Sequence, residues 1–383
     1  MGTRAARDER DARIQKIREA MAEENLDALI IAGKGHWWTG RGYFRYLTDF
    51  HLWGHDGLIL LPLSGDPLLT VTSAGVAAKI AQRGWISDAR PDWDIAPRLI
   101  EAVKERRLAG KRLGLVGRRF ILSVGTYEQL VEGLPDADWV AADHLFDRIR
   151  AIKSPLEIQQ NYELWDLAKA AQERFAEALE PGRTERDMAS EVLKVCYAGG
   201  ARDHLVFYNR RIPEDQPVNL ADIVAFHLEL CNESGHWCEL NITLAFRDPT
   251  ADEQRKMESE LRAYDEIRKI ARPGATLREL SDTFGRVLAE DGWEVTDDVV
   301  DHYDFHGHGL DVIEWPRYGP TESRYDTELQ AGMIFSYHPS RVARPAVRMM
   351  GVNENLLIAG EGGIRLSQGT SGVPWDQRWR TVS

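Results

Sequence analysis

The sequence has few cysteines, no long apolar run and fewer basic than acidic residues, and each shortage excludes a class of protein. Its three cysteines, Cys196, Cys231 and Cys238, show no CxxC spacing, which argues against a zinc ribbon or a disulfide scaffold. Three cysteines cannot all pair, and we expect Cys231 and Cys238, which flank the hairpin turn, to be reduced packing residues rather than nucleophiles or a disulfide. No run of about 18 apolar residues is present, so no segment is long enough to span a bilayer as a helix.

Lysine and arginine total 48 against 61 aspartate and glutamate residues, which gives a formal net charge of -13. This acidity disfavours nucleic acid and anionic membranes as partners. The first ten residues lack the apolar core of a signal peptide, so we expect a cytoplasmic protein. A chain of 383 residues with 43% hydrophobic content is long enough for two domains.

The first part of the chain alternates helix and strand signals. Apolar residues recur at helical spacing from Asp11 to Glu24. A further helix and four buried strands are predicted at Ile95–Arg107, Leu26–Ile31, Gly57–Pro62, Leu68–Thr72 and Arg112–Val116. This order predicts an α/β domain over residues 1–150. Residues 33–56 are rich in aromatic and histidine side chains, and we expect them to cover a site, contact a second subunit or cap an edge of the core.

Helices dominate the start of the second part. Ser154 is a helix cap followed by Pro155 in the first turn, which predicts a helix from Pro155 to Leu179. The pattern Pro-Gly-x-Thr occurs at residues 181–184 and again at 273–276, each time between two helical segments and near a strand pair. The sequence therefore predicts an internal duplication of a helix-helix-strand unit.

Residues 223–244 predict a hairpin with a turn at Asn232–Gly235. Alternation along the two strands puts apolar residues on one face. The other face carries His227, Glu229, Trp237, Glu239, Asn241 and Thr243. Two carboxylates and an imidazole on one face repel and lose solvation, so a cation, a proton or a substrate should compensate them. The alternative is a half-solvated polar edge.

Six segments resemble, in order, those of the creatinase, prolidase and methionine aminopeptidase superfamily. They are residues 150–157, 181–185, the hairpin, 306–314, 329–335 and the strand at Gly351. The resemblance covers nearly the whole chain. It implies a creatinase-type N-terminal α/β domain over residues 1–150 and a pita-bread α+β catalytic domain over residues 151–383.

The candidate site departs from the pattern that this resemblance implies, in which two Asp, one His and two Glu hold two metal ions. His227 or Glu229 stands for the first Asp and Glu239 for the second, while His306 is retained. His338 and Asn353 stand where the two Glu occur.

This altered set leaves two hypotheses about a metal. Two histidines and two carboxylates suit one Zn, Fe or Mn ion, with ligands predicted at Glu229, Glu239, His306 and His338. In the alternative, no metal is bound and the same residues move protons directly, as a likeness to the creatinase branch implies.

Other candidates are predicted from their place in the motifs. Catalytic roles are predicted for His204, Glu239, His306 and His338, and substrate contacts for His227, Trp237, Arg210, Arg211, His308 and Asn353. The two arginines are of a type that binds a carboxylate as a fork. Glu314 is flanked by Trp315 and Pro316, and we expect its side chain to be exposed, because a carboxylate without a partner is rarely buried. The alternative is that Glu314 accepts a hydrogen bond from a group in the outer shell of the site.

The resemblance implies an enzyme that hydrolyses a C–N or similar bond in a small, polar substrate that carries a carboxylate. The alternatives are a lyase of the dimethylsulfoniopropionate type, an Xaa-Pro dipeptidase, and a catalytically silent peptidase-like binding module. The dipeptidase is weakened because the two-metal ligand set is broken. Partners are expected to be the small substrate and a second copy of the chain in a homodimer.

Overall fold

A computed structural model describes residues 4–35, 40–219, 223–299, 305–318, 327–337, 341–344, 347 and 351–382. The chain divides into two units, Met1–Arg150 and Ala151–Ser383. No helix within the described ranges is both long enough and apolar enough to cross a membrane.

The first unit is a mixed six-stranded sheet with helices. Its elements are α1 (Arg4–Glu23), β1 (Ala28–Lys34), α2 (Arg41–Thr48), β2 (Asp56–Pro62), β3 (Leu68–Val71), α3 (Ala74–Arg83), β4 (Asp88–Pro91), α4 (Ile95–Glu105), β5 (Arg112–Val116), α5 (Val124–Gly133), β6 (Asp138–Ala141) and α6 (Asp143–Ala151). The strand order is β4-β3-β2-β1-β5-β6, with β2 antiparallel to both of its neighbours. All four predicted strands are present, because each is a buried apolar run.

The aromatic segment 33–56 contains a helix that the sequence analysis did not predict. All eight residues of α2 are buried, so this part of the segment packs within the first unit. His36, Trp37 and Trp38 lie outside the described residues. The homodimer that the segment was expected to support remains a prediction.

The second unit repeats an order of two helices followed by a sheet. Its elements are α7 (Pro155–Ala178), α8 (Glu185–Ala198), β7 (Asp203–Tyr208), β8 (Val224–Cys231), β9 (Trp237–Ala245), α9 (Ala251–Ile270), α10 (Leu277–Glu290), β10 (Glu294–Val299), β11 (Phe305–Gly307), β12 (Glu314–Tyr318), β13 (Ile334–Tyr337), β14 (Arg341–Arg344), β15 (Glu354–Ala359), β16 (Gly362–Arg365), a 3-10 turn (Leu366–Gln368) and β17 (Arg380–Thr381). One sheet has the order β17-β9-β8-β7 and the other β12-β11-β13-β15-β16. The element order agrees with the duplication that the two Pro-Gly-x-Thr motifs predict.

The four long helices of the second unit begin in the same way. In each, a Ser or Thr side chain accepts the backbone N–H three residues on, and the acidic residue there accepts the N–H of the capping residue. The pairs are Ser154 with Glu157, Thr184 with Asp187, Thr250 with Glu253, and Thr276 with Glu279. The predicted start of α7 is confirmed.

The hairpin β8–β9 has the two faces that its alternation predicts. Its apolar face packs against α7, where the ring of Phe226 stacks on Phe175 at 4.2 Å between centroids. The buried Gln172 Nε2 donates to the backbone oxygens of Phe226 and Leu240, one on each strand. The polar face is therefore turned away from α7.

The second sheet also has one apolar face. Phe305 and Tyr337 are register partners, and the ring of Tyr337 contacts Tyr264 of α9 and Phe284 of α10. Because side chains alternate along a strand, the residues next to this pair point to the other face. That face carries the row His306, Ser336 and Asn355 across β11, β13 and β15.

The capping residue Glu253 of α9 gives a testable prediction about how the stability of this fold depends on pH. Hydrogen bonds from Arg247, at 2.8 Å to each carboxylate oxygen, lower the pKa of Glu253 to about 2. Because this pKa lies below the unfolded-state value of about 4.3, the carboxylate stabilises the fold above that pH, and the contribution is lost as pH falls toward 2. We expect Glu253→Gln to reduce the free energy of unfolding in urea at neutral pH, with a smaller reduction at about pH 3. An equal reduction at both pH values would contradict this account.

Candidate active site

The site is built on the polar face of the hairpin. Glu229 of β8 and Glu239 of β9 are directly opposite each other, and His227 and Asn241 form the next pair. The His227 Nε2 atom lies 3.2 Å from Glu229 Oε1 and 3.8 Å from Glu239 Oε2. One imidazole therefore lies between two carboxylates, which is the compensation that the sequence pattern demands.

The second sheet brings two more histidines to Glu239. His306 Nε2 lies 3.5 Å from Glu239 Oε1, and the rings of His306 and His308 are 5.6 Å apart. These three side chains are at most 2% exposed, whereas the His227 and Glu229 side chains are 10% and 12% exposed. The site thus has a deep part around His306 and His308, and an outer part around His227 and Glu229.

The positions of the two glycines that alternate with these histidines have no space for a side chain. A Cβ atom on Gly307 would lie 2.4 Å from the Trp315 carbonyl oxygen. A Cβ atom on Gly309 would lie 2.7 Å from Lys153 Nζ and 2.8 Å from Glu314 Oε2. The His-Gly-His-Gly sequence therefore allows the backbone to run against β12 while both rings reach the site.

All three histidines of the site hold a proton on Nδ1. Each Nδ1 atom bonds to an oxygen acceptor, His227 to Asn241 Oδ1 at 2.6 Å, His306 to the Gly307 carbonyl at 2.9 Å and His308 to the Val312 carbonyl at 2.7 Å. A carbonyl oxygen can only accept, so the ring nitrogen is the donor. The Nε2 atoms are thereby left to face the carboxylates or a ligand, as in histidines that bind metals.

Burial affects two of the histidines in opposite ways. Burial lowers the pKa of His308 to about 4, and the nearby Glu239 charge offsets this only in part, so the ring is neutral at physiological pH. Burial also disfavours the charged form of His227, but hydrogen bonding and attraction from Glu229, together with the charge of Glu239, outweigh it and raise the pKa of His227. The deep ring is thus a neutral nitrogen donor and the outer ring favours holding a proton.

Arg317 is a site residue that sequence reasoning missed. It is directly opposite His306 in the β11–β12 ladder, so both side chains project from the same face of the sheet. Arg317 is half-buried and forms no hydrogen bond or ion pair with the described part of the chain. A guanidinium in this position is available for an anionic ligand.

Several buried polar atoms around the cluster have no hydrogen-bond partner among the described residues. Such atoms are rare in folded proteins and indicate that a ligand, ion or water completes the site. They are Glu229 Oε2, His308 Nε2, Ser336 Oγ, Asn353 Oδ1, and both Asn355 Oδ1 and Nδ2. Ser336 and Asn355 carried no sequence signal, because their place depends on strand register alone.

The donor atoms fit a divalent cation in two overlapping groups. Glu239, His306 and His308 form one group, and His227, Glu229 and Glu239 form the other, with the donor atoms of each within 4.8 Å of one another. Two ligands about 2.1 Å from one tetrahedral ion lie about 3.4 Å apart. The 3.5 Å from His306 Nε2 to Glu239 Oε1 and the 3.2 Å from His227 Nε2 to Glu229 Oε1 agree with that spacing.

The structure does not bring His204 into the cluster. His204 is opposite Leu230 on β8, so it lies on the face of the sheet away from Glu229 and Glu239. Its Nδ1 atom is 3.2 Å from Tyr197 Oη on α8, and burial lowers its pKa. The predicted catalytic role of His204 is not supported by this position.

The two arginines predicted to bind substrate are also placed elsewhere. Both terminal nitrogens of Arg211 are engaged by the buried carboxylate of Glu185, at 2.5 Å for Nη1 to Oε2. Arg210 is exposed in the turn after β7, at a φ of 65°. Neither arginine is part of the His/Glu cluster, which corrects the sequence-based prediction.

Three further predictions have mixed outcomes. Trp237 is buried on the site face, where it packs with Cys231 and Val312, so it shapes the wall beside Glu239. Asn353 is buried, with its backbone N–H bonded to Gln377 Oε1 at 2.9 Å. His338, predicted as a ligand and catalytic residue, lies outside the described residues.

Glu314 was predicted to be more exposed, and this is wrong. It is buried and its Oε2 atom lies 2.6 Å from Lys153 Nζ, a partner 161 positions away that the local sequence could not reveal. Cys231 and Cys238 are free and buried, as predicted, and Cys196 is free and buried as well.

Comparisons with known proteins agree with this architecture. The model of the family described as "Metallopeptidase family M24" matches residues 159–369, and that of the "Creatinase/Prolidase N-terminal domain" matches residues 13–152. An Xaa-Pro dipeptidase of Pyrococcus horikoshii is 23% identical over 367 residues, which cover 93% of this chain and 97% of that protein. An ectoine hydrolase of Halomonas elongata is 26% identical over 209 residues, or 50% of each protein.

Solved structures share the fold over most of the chain. The X-Pro aminopeptidase of Thermotoga maritima has a TM-score of 0.76 at 18% identity and covers 95% of this chain and 100% of its own. The prolidase of Pyrococcus horikoshii has a TM-score of 0.72 at 21% identity, with coverage of 93% and 98%. The chain therefore belongs to metallopeptidase family M24, a family of hydrolases, with a creatinase-type N-terminal domain before a pita-bread catalytic domain.

Proposed function

We propose that the protein hydrolyses a C–N bond in a small, polar, non-peptide substrate that carries a carboxylate. The observation that carries the proposal is the placement of Arg317 across from His306, without an ion pair in the described chain, beside a buried group of two carboxylates and three histidines. Arg317 holds the carboxylate of the substrate in a fork. The bond to be cleaved then lies over the Glu239 side of the cluster.

The small size of the substrate follows from burial. Glu239, His306 and His308 are almost inaccessible, and the more exposed side chains of the cluster are those of His227 and Glu229. We therefore expect a substrate to enter on the outer side and to place a small group near Glu239. Specificity then depends on which group is placed at Arg317 and which at the cluster.

The charges of the cluster favour one divalent cation. Glu229 and Glu239 carry two formal negative charges and a protonated His227 carries one positive charge, so one divalent ion gives a net charge of +1 and a second would give +3 in a buried site. Of the two groups, the deep one of His306, His308 and Glu239 is the better candidate to bind this ion, since two His and one Glu form a ligand set of catalytic zinc sites. A bound ion there would supply Lewis acidity to the bond that is cleaved.

His227 and Glu229 are then left to handle protons. The raised pKa of His227 favours the protonated ring, whose Nε2–H donates to Glu229 Oε1. In hydrolysis, Glu229 accepts a proton from the attacking water, and His227 gives one to the departing nitrogen. Asn241 holds the other ring nitrogen, so the His227 ring keeps one orientation during the transfer.

The same side chains also decide how the alternative functions, a lyase, a dipeptidase and a silent binding module, compare with this proposal. A lyase would use Glu229 or His227 to remove a proton next to the carboxylate that Arg317 holds, and its product would be an unsaturated acid. Relatives include an Xaa-Pro dipeptidase, and dipeptides also end in a carboxylate. A silent binding module is disfavoured because the two hairpin Asp of the family pattern are replaced by titratable residues that lie in one cluster with His306 and His308.

The first test is a substrate panel read by mass spectrometry. It contains N-acyl and N-amidino amino acids, Xaa-Pro dipeptides and sulfonium acids, each paired with an analogue whose carboxylate is a neutral amide. We expect water addition to an N-substituted amino acid and loss of turnover for the amide analogue. Turnover of the dipeptides alone, or release of an unsaturated acid from the sulfonium acids, would overturn the proposal.

The second test concerns the arginine that holds the carboxylate. We expect Arg317→Met to raise KM about 100-fold, since a charge-assisted bidentate contact contributes about 3 kcal/mol, while Arg317→Lys retains part of the affinity. Arg210→Met is the matched comparison. Steady-state kinetics on the best substrate would contradict the structure if Arg210→Met raised KM and Arg317→Met did not.

The third test is metal content. We expect about one zinc-type ion per chain by elemental analysis of protein reconstituted and then dialysed, and loss of that ion in His308→Ala and Glu239→Gln. His204→Ala removes a histidine of the same domain outside the cluster and should retain the ion. Two ions per chain, or retention of the ion in both cluster variants, would refute a single ion held by the deep group.

A further inference from the structure

A buried ion pair lies beneath the turn that follows His308. Lys153 Nζ is 2.6 Å from Glu314 Oε2, and the two side chains are 2% and 5% exposed. Removing two charges from water is costly, and replacing such a pair with apolar residues of similar volume is often neutral or stabilising. Stability alone therefore does not explain why a lysine and a glutamate occupy these positions.

The pair packs directly on the turn. Glu314 Oε1 accepts the backbone N–H of Asp311 at 3.2 Å. A side chain at Gly309 would collide with Lys153 Nζ and Glu314 Oε2, as the distances given above show. The pair is thus in contact with both the start and the middle of the segment from residue 309 to 314.

This turn carries the hydrogen-bond acceptor of His308. Val312, which lies between Asp311 and Glu314, accepts the Nδ1–H of His308 through its carbonyl at 2.7 Å. Because that bond fixes the proton on Nδ1, the fully buried Nε2 atom is left with a lone pair and has no hydrogen-bond partner in the described chain. A shift of the Val312 carbonyl would release the ring and allow the proton to move to Nε2.

The lysine is itself anchored to the frame of the domain. Its backbone N–H donates to the Gly332 carbonyl at 2.9 Å, just before β13, and it immediately precedes the Ser154 cap of α7. The turn is tied to the hairpin as well, since the Trp237 N–H donates to the Gly309 carbonyl at 2.8 Å. Lys153 thus connects the turn below His308 to a fixed point of the fold.

We propose that Lys153 and Glu314 are positioning residues that hold His308 in its Nδ1–H form, with Nε2 open toward Glu239. The pair fixes the segment 309–314, the segment fixes the Val312 carbonyl, and the carbonyl fixes the proton on the ring. The effect of the His308 tautomer on metal binding rests on the proposed function. The position of the proton on the His308 ring does not rest on that function, because it is set by hydrogen bonds within the chain when no ligand is bound.

Nitrogen NMR of the metal-free, full-length protein tests the proposal directly. With ¹⁵N-labelled histidine, and with His308→Gln to assign the signal, the wild-type ring should show a protonated Nδ1 and an unprotonated Nε2. Glu314→Gln and Lys153→Met should each give a mixture of the two tautomers at His308. Metal affinity should fall about 10- to 100-fold in each, as for the loss of an outer-shell partner of a metal-binding histidine.

Two further variants separate positioning from simple stability. The double variant Lys153→Met with Glu314→Leu removes both charges, so its melting temperature should be near that of wild type, yet His308 should still show mixed tautomers and weak metal binding. Lys256→Met breaks another buried Lys–Glu pair, with a 2.8 Å contact to Glu260, and should lower the melting temperature without changing His308.

The outcomes distinguish this inference from the proposed function. A wild-type His308 signal and full metal affinity in the folded double variant would overturn the positioning role while leaving the hydrolase proposal intact. Mixed tautomers in the variants of a protein that binds no metal would support the positioning role and remove the ion from the proposed function. Restoration of both the melting temperature and the single tautomer in the double variant would show that the pair is only structural, and would overturn the inference.

Discussion

Two carboxylates on one face of a hairpin are the constraint on which the site depends. Glu229 and Glu239 are opposite each other in the β8–β9 register, where two like charges repel each other. His227 lies against both, and His306 lies against the far oxygen of Glu239. A slip of one residue in the hairpin would turn these groups into the apolar core beside α7, so the register and the site are fixed together.

Much of this architecture is readable in the sequence because it depends on local periodicity. The alternation of residues 224–231 and 237–245 predicts which side chains share the face of Glu229 and Glu239, and the structure has that face. The Ser154 cap and the two Pro-Gly-x-Thr motifs predict helix starts in the same way, since each depends on residues within three positions. The family resemblance follows from the order of such local segments.

What the sequence did not show depends on contacts between distant positions. Arg211 was predicted to meet a substrate, but Glu185, 26 residues before it, holds its guanidinium. Arg317 had no signal of its own, because its place beside His306 follows only from the pairing of β11 with β12. Two arginines with similar neighbours in the sequence thus differ in role because the tertiary structure gives each of them a different partner.

The departure from the ligand pattern implied by the resemblance has a consistent electrostatic direction. Asn353 is predicted from the sequence to stand where that pattern has a carboxylate, and His308, whose pKa is lowered to about 4, adds a neutral nitrogen to the deep group. Fewer negative charges hold fewer cations, and they also repel an anionic substrate less. The loss of carboxylates, and an Arg317 that has no ion pair within the described residues, therefore both support the proposed anionic ligand. In the proposed function, one divalent ion would offset the charges of Glu229 and Glu239, and the proton on His227 would leave the cluster with one positive charge that attracts an anionic substrate. The carboxylate of the substrate would then be neutralised by an arginine at the edge of the cluster, which links the altered ligands to a change of substrate.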